Sequence, residues 1–162
     1  MNQEITPQPE NKFPSSQHRQ SFGPWPHCAA LLWQQLVDFE SWPDWWRDVQ
    51  SVQQLDQGEP GRGSQLQVNS RFDQQIWEII YWQSGSRVDF EILDRHCRAG
   101  LSLAIHPAND SDFAVLTLDM EFIPLTSAKL MAFLAQRGLR RRGLRLLKAL
   151  TEHLQEQQPA WD

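Results

Sequence analysis

The chain has little sulfur chemistry to offer: Cys28 and Cys97 are its only cysteines, far apart in a sequence of 162 residues. Two thiols so placed make neither a disulfide framework nor a cysteine-based metal knuckle, and ordinary reduced thiols are expected. Long apolar runs are missing too, none approaching the ~20 residues that a membrane-spanning helix needs. The opening stretch MNQEITPQPENKFPSSQHRQ lacks the apolar centre of a secretory signal and does not suit a transit peptide, so a cytoplasmic location is the expectation. Phosphate-cradling loops are absent, because Gly58, Gly61 and Gly63 are followed by neither a helix nor a Lys-Ser/Thr pair. There is no nucleophile elbow and no pair of metal ligands at helical spacing. No metal or cofactor is expected. His96 and Cys97 are adjacent, and neighbours on a strand face opposite ways.

Acids are lacking in one region. From Thr126 to Leu150 there are seven basic residues (Lys129, Arg137, Arg140, Arg141, Arg142, Arg145 and Lys148) and no acid, although the whole chain has a formal charge of −5. That overall balance argues against nucleic-acid binding by the whole surface, and no DNA partner is expected. Arg137, Arg141, Arg145 and Lys148 recur at helical spacing and draw one basic stripe. It reads either as a solvated outer face or as a docking surface for anionic lipid headgroups, an acidic protein or RNA.

Tryptophan, in contrast, is abundant. Five of the eight (Trp25, Trp33, Trp42, Trp45 and Trp46) crowd the first third, and Trp77 and Trp82 share one expected strand. Such side chains either pack a core or line a cavity.

The apolar pattern divides the chain into elements. Residues 1–15, rich in Gln, Pro, Asn and Ser, read as a disordered tail. Residues 16–22 alternate poorly and make at best an edge strand. Leu32, Trp33, Leu36 and Val37 form one helical stripe, and Ser41 is placed to cap a second short helix whose first turn Pro43 fixes. Val49, Val52 and Leu55 lead to the glycine-rich hairpin. Period-two alternation then runs through Leu66, Val68 and Phe72, through Val88, Phe90 and Ile92, through Ala99 to Ile105, and through Leu116 to Phe122. This predicts antiparallel strands with one buried face, joined by short turns. Pro124 ends the last strand, and Ser127 can cap a helix running to about residue 157, with apolar turns at Leu130, Phe133 and Leu134 and at Leu147, Leu150 and Leu154. Only this helix is long enough to cover the apolar face. A single domain over residues 16–157 is expected, followed by a short tail at 158–162.

The order Leu32-Trp33, Asp38-Phe39-Glu40-Ser41-Trp42-Pro43-Asp44-Trp45, Val49-Gln50-Ser51-Val52 and Gly61-Arg62-Gly63 resembles the START-like (SRPBCC) superfamily. Within it, the chain is similar to the polyketide cyclase/dehydrase and lipid-transport family. The resemblance implies an α+β helix-grip fold: a curved antiparallel sheet of six or seven strands wrapped around a long C-terminal helix, with two short N-terminal helices. It also implies a lipid, an isoprenoid quinone or a polyketide as ligand class. A single helix leaves room against a strongly curved sheet, and the expected lining is Leu66, Val68, Trp77, Phe90, Leu101, Leu103, Leu118, Met120, Leu134 and Gly138. An enzyme of the cyclase/dehydratase type would need a positioned acid or base, for which Glu78 and Tyr81 are the candidates. Glu78 faces either the cavity, where burial would raise its pKa, or the outside, where Arg71 or Arg87 would pair with it. In simple alternation, Tyr81 shares the register of Trp77 and Ile79.

Overall fold

The computed structural model describes residues 16–25, 29–71, 73–93, 97–107, 114–125 and 129–156. The expected N-terminal tail, Cys28, the Ser127 cap, His96, Phe72 and the C-terminal tail lie outside these residues.

Six strands follow one another as antiparallel neighbours: β2 (Val49–Gln54), β3 (Gln65–Ser70), β4 (Gln74–Gln83), β5 (Arg87–Leu93), β6 (Cys97–Pro107) and β7 (Ala114–Pro124). A seventh, β1 (Ser16–Trp25), precedes them in sequence but pairs with β7 at the far edge, giving the order β1-β7-β6-β5-β4-β3-β2. The poorly alternating N-terminal segment is thus a full edge strand. Its Arg19 sits opposite Asp119 and donates two hydrogen bonds, at 2.6 and 2.9 Å.

Between β1 and β2 the chain crosses one end of the sheet as α1 (Ala29–Val37), a 3-10 turn (Phe39–Ser41) and α2 (Trp42–Trp45). Leu32, Trp33 and Leu36 are the buried face of α1. Pro43 sits in the first turn of α2, as its fixed φ suits. Ser41 does not cap α2 through its side chain. Its hydroxyl instead donates back to the Asp38 carbonyl at 2.8 Å, because the preceding 3-10 turn brings that oxygen within reach.

The inward faces of β5, β6 and β7 follow strict alternation: Val88, Phe90 and Ile92; Ala99, Leu101, Leu103 and Ile105; Leu116, Leu118 and Phe122 are all buried. In two strands alternation breaks. A bulge between Val49 and Ser51 lets Val49 and Val52, three apart, both face the core. A second lies between Ile79 and Tyr81, so Trp77 and Ile79 point inward, Ile80 and Tyr81 both point outward, and Trp82 returns to meet Trp33 at 5.1 Å.

The β2–β3 hairpin is held by Asp56 as well as by glycine. Gly58 and Gly63 take φ of +112° and +91°, where a side chain would be strained. The Asp56 carboxylate accepts hydrogen bonds from the Gln65 backbone N–H and the Ser64 hydroxyl, both at 2.9 Å, and from the Gln54 amide at 3.1 Å. The Gln65 N–H, followed by the Ser64 hydroxyl, holds the Asp56 carboxyl below its ordinary value. A lowered folded-state pKa contributes stability above the unfolded value of about 4 and loses it as pH falls through the folded value. The amide-exchange protection factor of Gln65 is therefore expected to drop below about pH 4. In Asp56→Ala it should already be low at neutral pH. A protection factor that ignores both changes would contradict this account.

The last element, α3 (Lys129–Glu156), lies across the concave face. Gly143, Leu146, Leu147, Leu150 and Leu154 fall on one helical stripe and are buried against the core.

Candidate functional site

A cluster of aromatic side chains forms one wall of the site. Trp42 is fully buried, its indole N–H donates to the Leu36 carbonyl at 3.1 Å, and its ring meets Phe39, Trp45, Trp46, Trp77 and Phe90 at 5.3–6.3 Å. These contacts are edge-on or tilted, as aromatic quadrupoles favour. The proline-bounded α2 turn thereby delivers Trp46, beside Trp77 of β4, to the edge of a cavity beneath α3.

At Gly143 the helix comes close to the sheet. A Cβ there would stand 2.5 Å from Met120 Sδ and 3.2 Å from Leu118 Cδ2. From this point the C-terminal half of α3 packs down through its leucines. Leu130, Phe133 and Leu134 are 69%, 57% and 52% exposed. The 3.6-residue period places Leu130 and Leu134 on the side of the helix away from Leu146 and Leu150, so the expected single apolar stripe is in fact two.

The space left has a volume of about 60 Å3. Its sheet side is made by Ile92, Ala99, Leu101, Met120 and Phe122, and its aromatic side by Trp46 and Trp77. The helix contributes Gln136, Arg140, Arg142, Gly143 and Leu146. Gln17, Gly100 and Glu121 border it through a stretch of sheet whose side chains point the other way: Gln17 and Gly100 both pair with Glu121, and a Cβ on Gly100 would lie 3.7 Å from the Glu121 Cβ.

Of the ten residues expected to line a ligand site, Trp77, Leu101 and Met120 border this cavity. Leu66, Val68, Phe90, Leu103 and Leu118 are buried in the neighbouring core. Leu134 and Gly138 are exposed and outside the lining, with open space around Gly138, because they lie on the outward side of α3. Glu78 is on the convex face, opposite Gln65 on one side and Glu91 on the other. Neither expected arginine reaches it in the described contacts. Arg87 pairs with Asp89 at 2.7 Å and lies over the Tyr81 ring, and Glu91 pairs with Arg98. Tyr81 is 43% exposed, turned out by the bulge, with its hydroxyl 3.2 Å from the Gln83 amide oxygen.

The basic stripe divides in the same way. Arg145 donates to Asp48 at 2.9 and 3.1 Å, and Lys148 lies 3.7 Å from Glu152. Arg142, outside the stripe, donates to both Asp73 oxygens at 3.0 and 3.1 Å. Arg145 and Arg142 thus tether α3 to the segments before β2 and β4. Arg137, Arg140 and Arg141 are exposed.

Sequence reasoning missed the place of Arg140 in this site and left Trp46 open between core packing and cavity lining. Trp46 is 97% buried by its 3% exposure, and its indole N–H is the one buried side-chain polar atom among the described residues without a hydrogen-bond partner. The sequence signal for Gly143 was its place in the same stripe as Leu146, Leu147 and Leu150. Among the described residues no group of three or more His, Cys, Asp or Glu could hold a metal ion. No described helix is long and apolar enough to cross a membrane.

The fold is shared with solved structures of low sequence similarity. A Streptomyces aromatase/cyclase, Zhui, superposes with a TM-score of 0.67 at 14% identity, over 91% of this chain and 97% of that one. A START superfamily protein from Mycobacterium smegmatis gives 0.63 at 17% identity, over 89% and 99%. A major latex-like protein from Panax ginseng gives 0.65 at 11%, over 86% and 97%. No curated protein sequence matches. The sequence profile of the family described as polyketide cyclase / dehydrase and lipid transport matches residues 28–152. That match runs from the start of α1 through β7 into the last turns of α3, and the chain belongs to the polyketide cyclase/dehydrase and lipid-transport family.

Proposed function

We propose that the protein binds a hydrophobic small molecule, of the lipid, isoprenoid quinone or polyketide kind, in the cavity between α3 and the sheet. The observation that carries this reading is the mostly apolar lining of that cavity, with Ile92, Leu101, Met120 and Phe122 from the sheet and Trp46 and Trp77 beside them. Apolar walls with few polar groups are what small-molecule sites have in common.

At about 60 Å3 the cavity is smaller than pockets that enclose whole ligands, which run to roughly 300–1,000 Å3. Uptake therefore widens it. The Met120 thioether, unbranched and polarisable, is the adaptable wall. The cyclase/dehydratase reading draws less support. Glu78 and Tyr81 stand on the convex face, and the charged side chains facing the cavity from α3 are arginines, which do not exchange protons near neutral pH.

Native mass spectrometry of the gently purified protein is expected to show a co-purified small molecule. The neutral dye Nile red is expected to bind one-to-one with a rise in emission. A protein that arrives empty and takes up no neutral hydrophobic probe would overturn the reading.

A further inference from the structure

We infer that the ligand is an amphiphile with a single carboxylate, which Arg140 receives at the mouth of the cavity. This rests on the cavity being the ligand site, and it names the chemistry at one end of that ligand. Two cationic side chains border the cavity from α3, and they are in different states. Arg142 already donates to both oxygens of Asp73, at 3.0 and 3.1 Å, so its charge is met within the protein. Arg140 is exposed, with no ion pair or hydrogen bond in the described contacts. The one acid bordering the cavity, Glu121, does not answer it. Glu121 pairs across the sheet with Gln17 and Gly100, and its Cβ shares the convex side with the position a Gly100 Cβ would take.

The remaining arginines do not compete for this role. Arg145 is held by Asp48, and Arg137 and Arg141 are exposed and outside the cavity lining. One unpaired guanidinium beside an apolar chamber offers a planar fork of N–H donors that matches a carboxylate with two parallel hydrogen bonds. A phosphate monoester carries nearly two negative charges at neutral pH, and a single arginine would leave one of them unmet at the edge of an apolar space.

The test compares decanoate, decanol, decyl phosphate and decyltrimethylammonium, all below their micelle concentrations, against the full chain. Binding is followed by the change in tryptophan emission, to which Trp46 and Trp77 at the cavity edge contribute. Decanoate is expected to bind on the order of tenfold more tightly than decanol. Decyl phosphate should fall between them, and the cation should bind worst. Arg140→Gln should bring the decanoate-to-decanol ratio close to one, and Arg141→Gln should leave that ratio as it is. Equal affinity for decanoate and decanol would overturn the inference while leaving the hydrophobic site standing. Tighter binding of decyl phosphate than of decanoate, or an equal loss in Arg141→Gln, would overturn it too. Failure of every ten-carbon chain to bind would instead remove the proposed site itself.

Discussion

Replacing Trp42 with alanine is expected to destabilise the protein by about 3–5 kcal/mol, the range for a fully buried tryptophan cut back to a methyl. The reason is its central position. One indole touches five other aromatic rings, ties its N–H to the Leu36 carbonyl, and joins α2 to β4 and β5. Total stabilities of about 5–15 kcal/mol make this a large fraction, so urea unfolding should shift to a much lower midpoint. Trp42→Phe should fall between, keeping an aromatic ring but losing volume and the hydrogen bond. A loss under about 1 kcal/mol in the alanine variant would mean that the neighbouring rings close the gap, contrary to the packing described.

Gly143→Leu is expected to end ligand uptake. Even a bare Cβ at this position meets Met120 Sδ at 2.5 Å and Met120 Cε at 2.9 Å. A leucine must therefore either lift α3 or drive Met120 into the cavity that it borders. Overpacking of this kind costs about 1–3 kcal/mol, and the gain in helix propensity over glycine returns up to about 1 kcal/mol. Gly143→Ala should show the two effects apart. The tip of Met120 is flexible and can swing aside, so thermal stability stays near that of the native protein while Nile red binding weakens. If Gly143→Leu folds and binds Nile red as before, the close approach at Gly143 has no bearing on uptake.

The parts of the fold legible in the sequence are those set by local pattern. Strict alternation in β5, β6 and β7 gave the inward register of each, because a one-residue slip would turn every apolar side chain outward. The order of the Trp-Pro turn and the glycine hairpin carried the family resemblance, and the family profile covers the same region. What alternation could not reveal were the two bulges, since an extra residue leaves no mark of its own in a run such as Ile76-Trp77-Glu78-Ile79-Ile80-Tyr81-Trp82. The consequence fell on Tyr81, whose expected inward register the bulge reverses. The two apolar faces of α3 were open to the same arithmetic: counting turns from Leu130 to Leu146 separates them, whereas grouping by hydrophobicity alone merged them. Arg142–Asp73 and Arg145–Asp48 join residues far apart in sequence, and only the folded chain shows them. The unmet Trp46 N–H belongs to the same class, because the lack of an acceptor is a property of surroundings rather than of a motif.

The placing of β1 has a consequence for how the chain is made. Synthesis runs from the N-terminus, so β1 emerges before the other six strands, yet among the described strands it pairs only with β7, with Arg19 and Asp119 a hundred residues apart. Strands β2 to β7 can pair in succession, each with the neighbour just formed, by closing short loops. Until β7 is complete, β1 has no edge to join, and until β1 joins, β7 is an open edge able to pair with another chain. The step that closes the sheet is thus the one with the largest loop to close, and it must wait until β7 has emerged.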